Sequence, residues 1–212
     1  MNMKRIFRDA LILCLITLVA GFALGATHEV TDPLIKEQRL QAAQKTYKEV
    51  FPAAASFSSE EDLAGDVELS APLIELNFGE KVTVDSALKA FDANGKLIGL
   101  IVNATSKEGY GGAVSISAGI DLEKYRVTGV GFLTLNETPG LGMKAKEPLF
   151  RNQFPGKRAG GEELEVIKTG TANDLQVQAI SGATKTSRAV THALNAAVFF
   201  AAECVEFAEF SK

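Results

Sequence analysis

Residues 175–186 read Leu175-Gln176-Val177-Gln178-Ala179-Ile180-Ser181-Gly182-Ala183-Thr184-Lys185-Thr186, and a long amphipathic stretch follows them. The first six predict an extended approach, Ser181 to Thr184 a tight turn, and the remainder the start of a helix. Strand, turn and helix N-terminus in that order is an arrangement that cradles phosphate. The first N–H groups of a helix have no internal partner, and the macrodipole places roughly half a positive charge there. Gly182 and Ala183 keep side chains out of an anion's way, while Lys185 and Arg188 add positive charge within one turn. The Thr184 hydroxyl then has two uses that spacing does not separate: it caps the helix, or it is esterified to a phosphate.

Downstream, Val190, Leu194, Ala197, Val198, Ala201 and Val205 share one stripe at helical spacing, which predicts a helix over 185–210 packed on a sheet. Upstream, residues 86–92 and 96–105 are rich in apolar and β-branched types and flank Ala93-Asn94-Gly95. That pattern predicts a hairpin, with Asn-Gly supplying positive φ angles. Residues 113–121 and 125–135 repeat it. Strands followed by a closing helix give an α+β class with an antiparallel sheet. Two glycine-rich runs lie among the strands, Gly109-Tyr110-Gly111-Gly112 and Glu137-Thr138-Pro139-Gly140-Leu141-Gly142. Composition alone reads them as plain turns or as places where backbone approaches a ligand.

The N-terminal part is of another kind. No charged residue lies between Ala10 and Thr27, enough for a helix rising ~1.5 Å per residue to cross a bilayer. Lys4, Arg5 and Arg8 precede this run while His28, Glu29 and Asp32 follow it, so the positive-inside rule keeps the N-terminus in the cytoplasm and the rest outside. The small residues Ala23, Gly25 and Ala26 also suit a cleaved signal peptide. Asp32-Pro33 predicts a new helix start, with a charged helix over 34–51 ended by Pro52. Residues 53–65 read as a linker. The expected organisation is an anchor over 1–30, a helical stalk and linker over 31–66, and one domain over 67–212.

Composition narrows the chemistry. At 212 residues and a net charge of -4, without basic runs interleaved with aromatics, the chain is not a nucleic-acid binder. Cys14 lies in the apolar run and cannot be expected to pair with Cys204. His28 and His192 have no companions at ligand spacing, so no metal site is expected. No GxGxxG fingerprint and no cysteine cluster is present to hold a dinucleotide or an iron–sulfur centre.

Several of these segments, in order, resemble a known family. GYGG at 109–112, GID at 119–121, ETPGLG at 137–142, FRNQFPGK at 150–157 and SGAT at 181–184, after an anchor followed by VTDPLIKEQR, are similar to the FMN-binding domain family. That family is shared by the G subunit of the Rnf electron-transport complex and the C subunit of the sodium-translocating NADH:quinone reductase. The resemblance implies FMN joined to Thr184 through a phosphoester, delivered from FAD by a separate flavin transferase. It places Ser181, Gly182, Ala183, Lys185 and Thr186 around the attachment, with Glu137, Thr138, Gly140, Leu141, Gly142, Tyr110, Gly111 and Gly112 near the flavin. Thr184 is then an attachment point and not a turning-over nucleophile. The implied role is an electron carrier in an ion-translocating membrane complex, with its other subunits and the membrane as partners and ferredoxin and NAD+ as donor and acceptor. Two positions depart from the pattern: Gln178 stands where the transferase's recognition sequence has an acidic residue, and Met143-Lys144 follows ETPGLG where an acidic residue is common. Chain length resembles the Rnf G subunit more than the quinone-reductase C subunit. The alternatives are a part like that C subunit, an exported module without covalent flavin, and a free-standing reductase with dissociable FMN.

Overall fold

A computed structural model describes residues 3–205 of the chain. It divides into two units, residues 1–43 and 44–212. The first unit is helical and belongs to helix α1, Met3–Val50. Within it Phe7–His28, with a mean hydropathy of 2.4 and exposed throughout, is long and apolar enough to cross a membrane. The sequence predicts a fresh helix start at Asp32-Pro33, but the helix runs on through Pro33. A proline inside a helix removes one ladder bond, and in the turns before it Thr27 Oγ1 donates back to the Ala23 carbonyl and Thr31 Oγ1 to that of Thr27.

The second unit carries the rest. After Pro52 come a short strand β1 (Ser56–Phe57), a 3₁₀ turn (Glu60–Leu63) and helix α2 (Ala64–Phe78). Strands β2 (Val82–Phe91), β3 (Leu97–Ser106), β4 (Val114–Asp121) and β5 (Arg126–Leu135) follow. With β1 they form one antiparallel sheet in the order β1-β2-β3-β4-β5. Helix α3 (Pro148–Arg151), a parallel pair β6 (Glu165–Ile167) and β7 (Gln176–Gln178), and helix α4 (Thr184–Phe199) complete the fold. The α+β class, antiparallel sheet and closing helix agree with the sequence reading. α4 ends in a π-helical turn, Phe200–Val205, and the expected continuation to Phe210 lies outside the described residues.

The first hairpin forms between β2 and β3 as expected, but Asn94 does not take a positive φ; Gly95 alone does, at +78°. Asp92 replaces that role by accepting the N–H groups of Asn94 and Lys96 on one carboxylate oxygen, both at 2.8 Å.

The sheet is covered on both faces, which explains why β3 reads as an almost unbroken apolar run. Leu100, Val102 and Ala104 of β3, with Ile116 and Ala118 of β4, pack under Ala189, Val190, Ala193, Leu194 and Ala197 of α4. The opposite face receives residues 46–51. A methyl built on Gly99 would lie 2.4 Å from the Phe51 ring, on Gly119 2.6 Å and on Gly129 2.8 Å from the Val50 carbonyl oxygen, and on Gly131 2.3 Å from Thr46. These glycines form a seam into which the end of α1 sinks. Thr128 Oγ1 donates to the Val50 carbonyl at 2.5 Å, and Asn103 donates to the Tyr47 hydroxyl at 2.8 Å. The compact unit therefore starts at Gln44 and not near Val67: the end of the expected stalk fills the seam, and the expected linker contributes an edge strand, with Ser56 opposite Phe91.

Candidate functional site

At the start of α4 the chain makes the predicted strand, turn and helix. Gly182 sits at φ +77°, which an L side chain resists, and the Ala183 N–H donates to the Ile180 carbonyl at 2.9 Å. Thr184 does not cap the helix: it is the first helical residue, Ala183 is the cap position, and no side chain caps it. Ser187 closes the turn instead. Its Oγ accepts the Ile180 N–H at 2.9 Å and donates to the Ala183 carbonyl at 3.0 Å. Thr184 is half-buried, and its hydroxyl has no hydrogen-bond partner among the described residues. The same holds for the N–H groups of Thr184, Lys185 and Thr186, the orphan donors expected of a helix N-terminus.

Three segments far apart in sequence meet beside this turn. Glu137 is 7% exposed; its Oε1 accepts the Tyr110 N–H at 2.8 Å and its Oε2 the Gly111 N–H at 3.2 Å, so one carboxylate ties the loop 109–112 to the loop 137–142. A methyl on Gly142 would come within 2.6 Å of Thr186 Oγ1 and 2.8 Å of Glu137 Oε2, and one on Gly182 within 3.1 Å of Leu141 Cδ2. The second loop thus rests on α4 and on the turn before it. Glu108 pairs with His192 of α4, Oε2 to Nδ1 at 2.5 Å, and fixes the base of the first loop to the same helix.

A cavity of about 350 Å³ remains between them. Its walls are Tyr110, then Glu137, Thr138, Leu141 and Gly142, then Gly182, Ala183, Lys185 and Thr186. Ser181 lies elsewhere, on a second cavity of about 500 Å³ with Lys144, Phe150, Gln178 and Ile180. Thr184 lines neither; its chain neighbours Ala183 and Lys185 both face the first cavity. Gly111, Gly112 and Gly140 shape loops and line neither: Gly111 admits the Asn136 carbonyl, while Gly112 and Gly140 sit at φ +137° and +76°.

Two side-chain amides that hold neighbouring backbone in place carry no functional signal in the sequence reading. Gln153, inside FRNQFPGK, accepts the Gln178 N–H on Oε1 at 2.7 Å and donates Nε2 to the Gln178 carbonyl at 3.2 Å. The amide acts as an extra strand on the free edge of β7, three residues before Ser181. Asn195 does the same for Leu164, with both bonds at 3.0 Å. A polar residue within the apolar stripe of α4 was the signal available for Asn195; Gln153 had only its place in the motif.

Residues 109–198 match the FMN-binding domain family, and residues 1–50 match the RnfG N-terminal region. The chain is 35% identical over 203 residues to the G subunit of the Na(+)-translocating ferredoxin:NAD(+) oxidoreductase complex of Acetobacterium woodii, covering 92% of this chain and 91% of that one. It is 31% identical over 196 residues to the G subunit of the ion-translocating oxidoreductase complex of Methanosarcina acetivorans, covering 92% and 94%. The C subunit of the Na(+)-translocating NADH-quinone reductase of Yersinia pestis is 38% identical over 82 residues only, 36% of this chain and 31% of that one. Anchor region, flavin domain and overall length all align with the first two relatives, and the chain belongs to the G subunit family of ion-translocating oxidoreductase complexes.

Proposed function

We propose that this chain carries FMN as a phosphoester on Thr184 and relays electrons within a membrane-bound complex that couples electron transfer between ferredoxin and NAD+ to ion movement. The observation that carries the attachment is the Thr184 hydroxyl, without a partner among the described residues, at a helix N-terminus whose three leading N–H groups also lack acceptors there. The donor set suits a phosphoryl group: Lys185 on the cavity wall adds a cation, and Gly182 and Ala183 add no bulk. Thr184 Oγ would gain one P–O bond to the FMN half of FAD, with AMP leaving and the hydroxyl proton released. FMN, once bound, supplies one- and two-electron chemistry, and the chain supplies position and electrostatics. The cavity beside Gly182, Ala183 and Lys185 would give a group tethered there somewhere to rest.

The partners follow from G subunit relatives that span nearly the whole chain, whereas the likeness to the quinone-reductase C subunit spans about a third of it. The apolar helix would anchor the chain, and the basic residues before it favour a flavin domain on the outer side of the membrane. A separate flavin transferase would act on the turn, where the Gln178 side chain is exposed and only its backbone is held by Gln153. The test is ultraviolet fluorescence of the denatured chain in a gel, after co-expression with a flavin transferase, followed by peptide mapping over 169–188. A fluorescent band with FMN mass on Thr184, lost in Thr184→Ala, is expected. A fluorescent Thr184→Ala band would move the attachment elsewhere, and a dark wild-type band with FMN released on denaturation would make the flavin dissociable.

A further inference from the structure

Helix α2 is apolar on two sides. Its inner side buries Ser70 and Ile74, with Val67 and Phe78 packed against the core and Phe78 edge-on to Phe199 of α4, ring centroids 5.7 Å apart. Its outer side presents Leu69 at 79% exposure, Leu73 at 47% and Leu76 at 81%, with Pro72 on the same arc of about 100°. Residues four and three apart on a helix are neighbours, so the three leucines make one stripe. The other large apolar side chains exposed outside α1 lie singly in loops, in β5 or in the short α3, with no such helical spacing. A helix apolar on two sides needs cover on both, and here one of them has no cover within the described residues.

The charge around the stripe says what kind of cover fits. Glu60, Glu61, Asp62, Asp66, Glu68, Glu75 and Glu80 lie on this segment, and no Lys or Arg occurs between Phe51 and Lys81. An anionic bilayer surface would be repelled by that rim, and a second copy of the same face would set acid against acid. We propose that the outer face of α2 is the docking surface for another subunit of the complex, one offering an apolar groove edged with Lys or Arg. This rests on the family's place in a complex of several subunits and not on the state of the flavin.

The experiment uses the assembled complex in native membranes, with a benzophenone-bearing residue in place of Leu76 and, as control, in place of the exposed Thr171. Irradiation is expected to join position 76 to an identified subunit of the same complex. Glu68→Lys with Glu75→Lys should reduce that product several-fold while leaving the chain in the membrane. Adducts to lipid, a homodimer of this chain, or no product at position 76 beyond that at position 171 would overturn the proposal. Flavin fluorescence read in the same gel keeps the two readings apart: a dark chain still joined to its neighbour leaves the docking face standing while the attachment fails.

Discussion

Two regions of this molecule use glycine differently. Along the seam of Gly99, Gly119, Gly129 and Gly131, absent side chains make room for residues 46–51, and the space is filled by Thr46, Val50 and Phe51. At the start of α4, glycines knit three loops together through Asn136, Glu137 and Thr186 yet leave a cavity of about 350 Å³. Glycine in a sequence announces close approach; it does not say whether chain or ligand does the approaching. On the proposed function the seam is a stability device and the cradle a binding one, and substitution separates them.

The largest difference is expected between Gly99→Val and Gly140→Ala. A Cβ at Gly99 would lie 2.3 Å from the Ile120 carbonyl oxygen, so backbone must move, and the cost by urea unfolding of the anchor-free domain should be about 3 kcal/mol. At Gly140 space is open and only the φ of +76° resists, which costs about 1 kcal/mol. Equal losses would erase the distinction. Next comes Glu137→Ala, which leaves the N–H groups of Tyr110 and Gly111 without their carboxylate. We expect about 2 kcal/mol of destabilisation and, more tellingly, a fall in flavin loading that no seam variant of equal stability shows. Gln153→Ala frees the edge of β7 and should cost about 1 kcal/mol, with faster amide exchange at Gln178 as its direct readout.

The smallest effect is on pH dependence and belongs to the seam. Tyr47 is pushed up to about 12, chiefly by burial; the Asn103 hydrogen bond pulls it back, and the neighbouring Glu60 adds to the rise. The folded state therefore holds the phenolic proton more tightly than the unfolded chain. Its contribution is complete below about pH 10 and is lost as pH rises toward 12. Unfolding midpoints should fall over that interval more steeply in the wild type than in Tyr47→Phe. Identical slopes would place no titrating group in the seam.

Much of this was legible in advance because it is local. Apolar alternation and β-branching set β2 to β5, the stripe from Val190 to Ala201 set α4, and Gly182 before Thr184 set a turn at a helix start. The uncharged run between Ala10 and Thr27 set an apolar helix. What failed was local competition. Asp32-Pro33 looked like a start and lies mid-helix, Asn94 was outdone by the Asx turn of Asp92, and the turn before α4 is closed by Ser187 and not by Thr184.

The sequence by itself determined strands β2 to β5, helix α4 and the turn before it, because hydrophobic period and turn residues act within a few residues. Only the tertiary structure decided that residues 46–51 are sheet filling and not stalk, that Glu137 joins two glycine loops, and that one amide at position 153 holds the strand before the turn. Those contacts close across tens of residues. They depend on which face of a sheet meets which side chain, and no periodicity along the chain records that.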